Sequence, residues 1–245
     1  MTTLDSRGPT ISLVTATFNA SNSLPTLIDS LCNQTDRDFE WVVADGASDD
    51  GTIELLKSVT DIHVVISSQP DFGIYDALNR AVKNAKGDYY LVLGADDVLY
   101  PDSIASFRRI ASNGQPDMVS ARVKVNGKVY GPRRGQPWLY GAFAYVTGHS
   151  VSTLIKKSLH EKFGYYSKFY PLVADQFFFK RAGDAGARIE LTDFVAGEYG
   201  TQGSSSRDVL GMLTEGFRVQ LATGESKVVQ SFLFLMRLIK LFKKF

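Results

Sequence analysis

The pattern of hydrophobic and polar positions divides the first part of the chain into short apolar runs separated by amphipathic segments. The apolar runs lie at residues 11–18, 39–44, 63–66 and 89–93. Each run is too short for a buried helix but suits a strand. Residues 74–85 place apolar side chains at spacings of three and four, which predicts a helix. Because strands that alternate with helices form mainly parallel sheets, the pattern predicts an α/β fold.

The pattern becomes mixed after residue 101. A helical stretch at 103–111 precedes an alternating run at 118–125, and Asn126-Gly127 then gives a strong hairpin signal. Residues 130–149 are irregular and rich in Gly, Pro and aromatic side chains, which is typical of a loop that lines a pocket. The remaining predicted elements are strands at 152–155 and 189–195 and a helix at 173–181.

Carboxylates follow two of the predicted strands at the point where each strand ends. Asp45 comes after the second strand, and Asp96 and Asp97 come after the fourth. Ligands of open α/β sheets bind at this carboxyl edge. Because two adjacent carboxylates repel each other, we expect a cation or a hydroxyl-bearing ligand against Asp96 and Asp97. The alternative is that the pair only forms a turn or caps a helix.

The segment 226–245 contains five basic residues and no acidic ones. On a helix, one stripe would be apolar and comprises Val228, Phe232, Leu235, Ile239 and Phe242. Arg237 and Lys240 interrupt the apolar run well short of the ~20 residues that span a bilayer. Bulky apolar groups beside uncompensated basic charge predict a helix that lies in a membrane surface. The alternative is a helix docked on the protein's own core.

Composition narrows the class of protein. The chain has 245 residues, of which 44% are hydrophobic and 22% charged, as in a soluble globular protein. A formal net charge of +1 argues against a protein that binds nucleic acid through its overall charge. The single cysteine, Cys32, excludes an internal disulfide framework and fits a reducing compartment. The opening residues lack the apolar block of a secretory signal, so we expect a cytoplasmic protein.

Four segments together resemble the family 2 glycosyltransferases, which have the GT-A fold. They read TATFNAS, VVADGASDDGT, DFGIYDALNRAVKNAKGDYYLVLGADD and VADQFFFKRA, in the family's order and over about residues 10–205. The resemblance implies a Rossmann-like, mainly parallel sheet with helices on both faces and a smaller mixed acceptor-side region. We expect a glycosyltransferase domain at 1–225, with a nucleotide-binding half at 10–100 and an acceptor-side half at 101–225. The basic amphipathic helix follows at 226–245.

The resemblance, together with the chemistry of a nucleotide-sugar donor, predicts donor contacts in the first half. Asp45 can accept an N–H from the base edge, with Ala16 and Thr17 beside it. Asp96 is the expected ribose contact. The other residues at positions where the family contacts the donor are Asn19, Asp71, Asp76 and Asn79. Asp71 has the alternative of capping the next helix, and the last two have the alternative of being solvated.

Asp97 is the expected ligand of a divalent metal ion, Mn²⁺ or Mg²⁺. Hard oxygen ligands suit these ions, and few protein ligands suffice when phosphates complete the coordination shell. Such an ion would stabilise charge on the departing diphosphate.

Asp175 resembles the family's catalytic base, because an acidic residue followed by aromatic ones begins its helix. An acceptor hydroxyl must lose a proton when it attacks the anomeric carbon, and a helix N-terminus keeps a carboxylate ionised and able to accept it. The alternative is a helix cap. Four more residues are candidates for the pocket wall: His149, Arg133, Arg134 and Ser204. The loop at Ser204 departs from the family, because Gln202 replaces the first Gly of a Gly-Gly-x-Ser motif.

These features predict an inverting, metal-dependent enzyme that transfers a sugar, with a UDP-sugar as the first candidate donor. The expected acceptor is a hydroxyl of a glycan or of a polyprenyl-diphosphate-linked sugar. By resemblance and by the basic tail, the expected setting is surface polysaccharide, lipopolysaccharide or glycolipid synthesis at the inner face of the cytoplasmic membrane. A sugar-nucleotide pyrophosphorylase or a dinucleotide oxidoreductase would need a Gly-rich phosphate loop after a strand, which the sequence lacks. The alternative from another class is a non-catalytic module that binds nucleotide sugar or membrane.

Overall fold

The structure is a computed structural model that describes residues 10–148, 150–201 and 208–242. Its strands are β1 (Ile11–Thr17), β2 (Phe39–Asp45), β3 (His63–Ser68), β4 (Tyr89–Val92), β5 (Val98–Leu99), β6 (Met118–Val125), β7 (Lys128–Tyr130), β8 (Thr153–Lys156) and β9 (Ile189–Glu198). Its α-helices are α1 (Leu24–Cys32), α2 (Thr52–Lys57), α3 (Ile74–Asn84), α4 (Ser103–Ser112), α5 (Pro137–Tyr140), α6 (Leu159–Phe163), α7 (Ala174–Asp184), α8 (Val209–Ala222) and α9 (Lys227–Phe242).

The described strands form one sheet in the order β3-β2-β1-β4-β8-β6-β9-β5, with β7 paired to β6. Strands β1 to β4 run parallel, and their register sets Thr17 opposite Asp45. The carboxyl ends of these strands therefore meet at one edge of the sheet. This arrangement confirms the predicted α/β fold, and it brings the polar residues after β1, β2 and β4 to the same edge.

The second half of the sheet is mixed, as predicted. Strand β8 is antiparallel to both β4 and β6, whereas β6 and β9 are parallel. Short β5 pairs with the end of β9. The sequence did not predict β5, because two residues carry no periodicity and their pairing depends on a distant strand. The predicted hairpin at Asn126-Gly127 is confirmed between β6 and β7, and these two residues have φ values of 47° and 77°.

Alternation along the central strands supplies one apolar layer to each face of the sheet. On β2, Trp41 and Val43 pack in one layer with α1 and α4, while Val42 and Ala44 pack in the other with α3 and α7. All four side chains are fully buried. Burial of a side chain such as Val contributes about 1.5–3 kcal/mol. A slip of β2 by one residue would exchange the two layers, so the register that aligns the strand ends is strongly fixed.

The last two helices pack against each other and against the body of the protein. Phe217 of α8 stacks on Phe234 of α9 with ring centroids 4.8 Å apart. Gln230 of α9 is buried and donates to the carbonyl oxygen of Trp138 at 2.6 Å. Between the helices, the carboxylate of Glu225 lies 2.8 Å from the buried ammonium of Lys180 on α7. One face of α9 is therefore docked on the protein.

The opposite face of α9 is exposed and apolar. The five residues of the predicted apolar stripe are 43–81% exposed: Val228, Phe232, Leu235, Ile239 and Phe242. The structure thus shows the docked alternative for one face of α9, while the membrane-surface alternative stays a prediction for the other. Within the part of the chain that the structure describes, every helix is too short or too polar to cross a membrane.

Candidate active site

A cavity of about 200 Å³ opens where the carboxyl ends of the parallel strands meet the mixed half of the sheet. Its wall includes Ala16 of β1, Asp96 and Asp97 after β4, and Asp175 in the first turn of α7. Tyr75, at the start of α3, lines the same space. The topology therefore assembles carboxylates from both halves of the chain around one cavity, which is the usual form of a small-molecule site.

Asp45 is fully buried at the end of β2 and accepts four hydrogen bonds. Its Oδ1 accepts from the hydroxyls of Thr17 at 2.9 Å and Ser48 at 2.5 Å, and its Oδ2 accepts from the Ser48 N–H at 2.9 Å and the Ser68 hydroxyl at 2.8 Å. Burial opposes the charged form, but these hydrogen bonds outweigh burial and lower the pKa of Asp45. Asp45 is therefore an ionised carboxylate that fixes the loop after β2 against the ends of β1 and β3.

The loop after β1 is tied to the loop after β2. The backbone N–H of Asn19 donates to the Ser48 hydroxyl at 2.9 Å, and the Asn19 side-chain oxygen accepts from the N–H of Asp49 at 3.1 Å. The N–H of Ser21 donates to Asp50 at 3.0 Å. Asn19 has a φ of 48°, in the left-handed region that Asn tolerates better than most residues. The two loops thus form one continuous rim beside the cavity.

Gly46 leaves room at this rim for two side chains. A Cβ atom at Gly46 would lie 2.7 Å from Oδ2 of Asp71 and 3.2 Å from the ring of Phe18. Phe18 is 67% exposed, so its ring offers a flat apolar surface beside the strand ends. Asp71 also accepts from the N–H of Gly73 at 3.0 Å, a contact within the turn before α3, whose N-cap residue is Gly73 itself. Sequence reasoning missed Phe18, because the exposure of its ring depends on the packing of both loops.

The two adjacent aspartates after β4 have different surroundings. Asp97 is fully buried: its Oδ2 accepts from the N–H of Gly94 at 2.7 Å and the hydroxyl of Ser150 at 2.9 Å, and its Oδ1 accepts from the N–H of Gly200 at 2.8 Å. Burial raises the pKa of Asp97 to about 6. Asp96 is only partly buried, and a Cβ atom at Gly200 would lie 2.1 Å from its Cγ. Gly200 therefore has to be a glycine for Asp96 to occupy its position.

This geometry bears on the predicted metal site. The oxygens of Asp97 already accept three hydrogen bonds within the protein, whereas Asp96 lines the same cavity with part of its side chain exposed. A partly exposed carboxylate fits Mn²⁺ or Mg²⁺ when phosphate oxygens complete the coordination shell. Among the described residues, no cluster of three or more His, Cys, Asp or Glu side chains is arranged to hold an ion. The two carboxylates thus differ in exposure, while the metal contact of Asp97 and the ribose contact of Asp96 stay predictions.

Asp175 lies in the cavity wall in the first turn of α7. Its Oδ1 accepts from the hydroxyl of Tyr75 at 2.7 Å. Burial raises the pKa of Asp175, and the hydrogen bond from Tyr75 partly offsets this effect. Backbone N–H groups of the first turn, including that of Gln176, also donate to the Asp175 carboxylate, so Asp175 combines a capping contact with its position in the cavity wall. The carboxylate of Glu215 accepts from the N–H groups of Leu172 and Val173 at 2.9 and 3.1 Å. Glu215 of α8 thus fixes the backbone that leads into α7.

A row of buried rings supports the wall behind Asp175. The hydroxyl of Tyr166 lies 2.8 Å from that of Tyr90, which lies 2.7 Å from Nε2 of His160. Nδ1 of His160 lies 3.0 Å from the carbonyl oxygen of Gly164, so we assign its proton to Nδ1 and the acceptor role to Nε2. Burial lowers the pKa of His160, which keeps the ring neutral. This network holds Tyr166 in the cavity wall in one orientation.

Two residues predicted to contact the donor make local contacts instead of lining the cavity. The side-chain amide of Asn79 donates to the carbonyl oxygen of Tyr166 at 2.8 Å and accepts from its N–H at 2.9 Å. Asp76 is exposed and accepts from the N–H of Phe72 at 3.3 Å. Asn79 therefore joins α3 to the segment before α7, and Asp76 contacts the turn that precedes its own helix. For both residues a donor contact stays a prediction.

The four residues predicted to line the pocket do not share one location. Arg133 lines a second cavity that adjoins the first. Arg134 is exposed and lines neither cavity. His149 and Ser204 lie outside the described residues, so their predicted roles stay predictions.

The sequence analysis did not predict the residues that contact the carboxylates of Asp97 and Asp175. Tyr75 belongs to the amphipathic pattern of α3, and a tyrosine on the buried face of a helix is a signal that its hydroxyl needs a partner. Ser150 and Gly200 gave no comparable signal, because they meet Asp97 only after the mixed half of the sheet has formed.

Comparisons with known proteins identify the family and the fold. Residues 12–176 match the family described as Glycosyl transferase family 2. A PGL/p-HBAD biosynthesis glycosyltransferase of Mycobacterium bovis (strain BCG / Pasteur 1173P2) is 37% identical over 112 residues, which are 44% of this chain and 44% of that protein. The match thus spans less than half the length of that relative.

Solved structures share the fold at low sequence identity. S. aureus TarS 1-349 in complex with UDP-GlcNAc has a TM-score of 0.70 and 18% identity, and the match covers 92% of this chain and 70% of that one. The mannosyltransferase PcManGT from Pyrobaculum calidifontis, in complex with GDP-Man and Mn²⁺, has a TM-score of 0.69 and 18% identity, with 94% and 69% covered. These matches support the predicted GT-A architecture.

Proposed function

Because the chain belongs to glycosyl transferase family 2, we propose that it transfers a sugar with inversion from a nucleotide-sugar donor to a hydroxyl of a glycan or lipid-linked acceptor. The observation that carries this proposal is the presence of Asp96 and Asp175 in the wall of one cavity at the carboxyl edge of the sheet. UDP is the first candidate nucleotide, in line with the UDP-GlcNAc complex of TarS, and GDP is the second, in line with the GDP-Man complex of PcManGT.

The rim formed by the loops after β1 and β2 would bind the nucleotide. The exposed ring of Phe18 can stack on the base, and stacking of this kind tolerates different bases. The network around Asp45 holds the rim in place before the donor arrives, which lowers the ordering cost of binding. Asp71, next to Gly46, is placed to accept a hydrogen bond from a donor hydroxyl.

Asp96 is the proposed protein ligand of a divalent ion, either Mn²⁺ or Mg²⁺. Its carboxylate lines the cavity, and hard oxygen ligands suit both ions. When bound, such an ion would neutralise charge on the departing diphosphate. Asp97 has a supporting role in this proposal, because its three hydrogen bonds fix the turn that presents Asp96.

Asp175 is the proposed general base. As the acceptor oxygen forms a bond to the anomeric carbon, the bond from that carbon to the diphosphate oxygen breaks, and the hydroxyl proton moves to the Asp175 carboxylate. This single displacement inverts the configuration at the anomeric carbon. Burial makes Asp175 more basic than an aspartate in water, while the hydrogen bond from Tyr75 orients it and favours its ionised form.

We further propose that α9 binds the inner face of the cytoplasmic membrane, where surface polysaccharide or glycolipid acceptors are made. The support is an apolar stripe that is 43–81% exposed, together with the exposed Lys227 and Lys240 and the absence of acidic residues from the helix. An interfacial helix buries such a stripe among the lipids while its basic side chains contact anionic headgroups.

The enzymatic proposal is tested by titrating UDP and GDP into the full chain with Mn²⁺ and by assaying turnover of UDP-, GDP- and dTDP-sugars. We expect one nucleotide to bind and its sugar donor to be consumed. Electron paramagnetic resonance of Mn²⁺ with that nucleotide should report weaker ion binding in Asp96→Asn but not in the exposed control Asp193→Asn. Nucleotide binding without turnover would favour the non-catalytic module, and the absence of both would overturn the proposal.

The membrane proposal is tested by sedimentation with vesicles that contain anionic lipid. Phe232→Ser combined with Leu235→Ser should release the protein into the supernatant, because both side chains lie in the exposed stripe. Val129→Ser removes a similarly exposed apolar side chain on β7 and should have no effect. Equal sedimentation of all three proteins would contradict this proposal.

A further inference from the structure

A second cavity, of about 420 Å³, adjoins the first and has no role in the donor and base assignments above. The two cavities share Phe143, Gln176 and Met212 in their walls. Gln176 directly follows the proposed base in the chain. A molecule held in the second cavity can therefore extend toward the carboxylate of Asp175.

Two guanidinium groups from different parts of the chain line this second cavity. Arg237 of α9 donates to the carbonyl oxygen of Leu139 at 2.6 Å, and the guanidinium of Arg133 lies over the ring of Tyr140, 5.3 Å from its centroid. Burial, and then the positive charge of Arg133, lower the pKa of Arg237. Neither arginine forms an ion pair with a carboxylate of the described residues. Two cations that repel each other in one cavity favour an anionic ligand.

A buried amide in the same wall joins α8 to α5. Gln220 of α8 is 3% exposed, and its Nε2 donates to the carbonyl oxygens of Pro137 and Trp138 at 3.1 Å each. These two contacts fix the orientation of the amide. Its Oε1 is buried and has no hydrogen-bond partner in the described part of the chain.

The backbone that carries Arg133 is held in a strained form. The N–H of Arg133 donates to the carbonyl oxygen of Phe143 at 2.9 Å. Arg134 and Gln136, which follow it, have φ values of 42° and 55°. Non-glycine residues with positive φ cost free energy and persist where surrounding contacts impose them, which is common at ligand sites.

We propose that the second cavity binds the phosphate ester of a glycosyl phosphate, with Arg133 and Arg237 on the phosphate oxygens. This inference rests on the proposed function and names its acceptor class, a sugar that carries a phosphate group. Arginine pairs suit phosphate because their planar donors match its oxygens. A lipid-linked glycosyl phosphate and a free sugar phosphate share this chemistry.

Isothermal titration of the full chain, saturated with nucleotide and Mg²⁺, tests the site with glucose 1-phosphate and glucose as probes. We expect glucose 1-phosphate to bind at least about tenfold more tightly than glucose, because charge-assisted hydrogen bonds to phosphate are strong. Arg133→Gln and Arg237→Gln should each weaken glucose 1-phosphate binding about tenfold. Arg109→Gln, which removes an exposed charge on α4, should bind it as wild type does.

A second pair of probes distinguishes the sources of the phosphate. Farnesyl phosphate that binds at least about tenfold more tightly than inorganic phosphate identifies a lipid-linked ligand, since each buried CH₂ group adds affinity. Equal binding of the two identifies a free sugar phosphate. Either result supports the phosphate site.

The inference is overturned if Arg133→Gln and Arg237→Gln bind glucose 1-phosphate as Arg109→Gln does. Nucleotide titration of the same samples separates this outcome from failure of the proposed function, which would abolish nucleotide binding in the wild type as well. Should Arg237→Gln unfold because it loses the contact with Leu139, Arg133→Gln decides the question, since the Arg133 side chain is exposed.

Discussion

The strand-end edge and the start of α7 both present carboxylates to the same part of the molecule, but they surround them differently. At the strand ends, Asp45 accepts four hydrogen bonds and Asp97 accepts three, and both are fully buried. At α7, Asp175 accepts from the hydroxyl of Tyr75 and lines the cavity. Full burial therefore suits Asp45 and Asp97 to hold the backbone of their loops, whereas the partial exposure of Asp175 in the cavity wall suits its proposed role as the group that takes a proton.

The largest effect is expected from Asp175→Asn. The amide can still accept from Tyr75, so the fold should persist, but it cannot take the proton of the acceptor hydroxyl. We expect transfer to fall about 10²–10⁴-fold, measured as initial rate, with nucleotide affinity unchanged. Asp193→Asn, at an exposed position on β9, serves as the control. Normal turnover by Asp175→Asn would assign the base to another group.

Asp97→Asn should lower the stability of the fold as well as turnover. An amide NH₂ group in this position would face donors that the carboxylate accepts, including the N–H groups of Gly94 and Gly200. We expect the free energy of unfolding to fall by about 2–4 kcal/mol, measured by urea denaturation. Asp29→Asn changes an exposed aspartate on α1 and should have almost no effect. An unfolding midpoint equal to that of the wild type would show that Asp97 does not hold the turn.

Asn79→Ala separates a structural role from a donor contact. The substitution removes two hydrogen bonds to the backbone of Tyr166, so we expect a loss of about 1–3 kcal/mol in the free energy of unfolding. Nucleotide affinity, measured by titration, should not change. The matched control Asn84→Ala lies exposed at the end of the same helix. The opposite result, weaker nucleotide binding at full stability, would restore Asn79 to the donor site.

The smallest effect is expected from Tyr75→Phe, and it appears in the pH dependence. Burial raises the pKa of Asp175, so activity should increase with pH through a range above that of an ordinary aspartate. Loss of the Tyr75 hydrogen bond removes a contact that favours the ionised form, which raises the pKa further. We expect the acid limb of the rate profile to move up by about 0.5–1 pH unit, with the plateau nearly unchanged.

The control for this substitution is Tyr165→Phe, which alters a tyrosine that is 41% exposed. A merely structural role for Tyr75 would lower the rate equally at every pH. An acid limb that stays in place would therefore remove Tyr75 from the positioning of Asp175.

Local sequence patterns predicted the strands of the parallel half of the sheet and the helix that begins near Asp175. Runs of alternating or continuous apolar residues predicted β1 to β4, and the parallel pairing of these strands placed Ala16, Asp96 and Asp97 in one cavity. The helical start at Asp175 was also visible, because an acidic residue preceded a run of aromatic ones.

The sequence could not predict which of these residues hold the backbone in place and which are open to a ligand. Asp96 and Asp97 are neighbours of the same type, and what separates them is contact with Ser150 and Gly200, which other strands bring into place. Asn79 binds a backbone group of Tyr166, and any residue at that position would offer the same group. Contacts of this kind leave no signature in residue type or spacing.

The docking of α9 bears on how the protein can be shortened. Gln230 and Arg237 hold the carbonyl groups of Trp138 and Leu139, and Arg237 lines the second cavity. A chain that ends before Lys227 would lose both the exposed apolar stripe and the part of the second cavity wall that Arg237 forms. Reduced turnover by such a fragment could therefore arise from loss of the cavity wall or from loss of the proposed membrane contact. Substitutions on the exposed stripe alone test the membrane contact without altering the cavity.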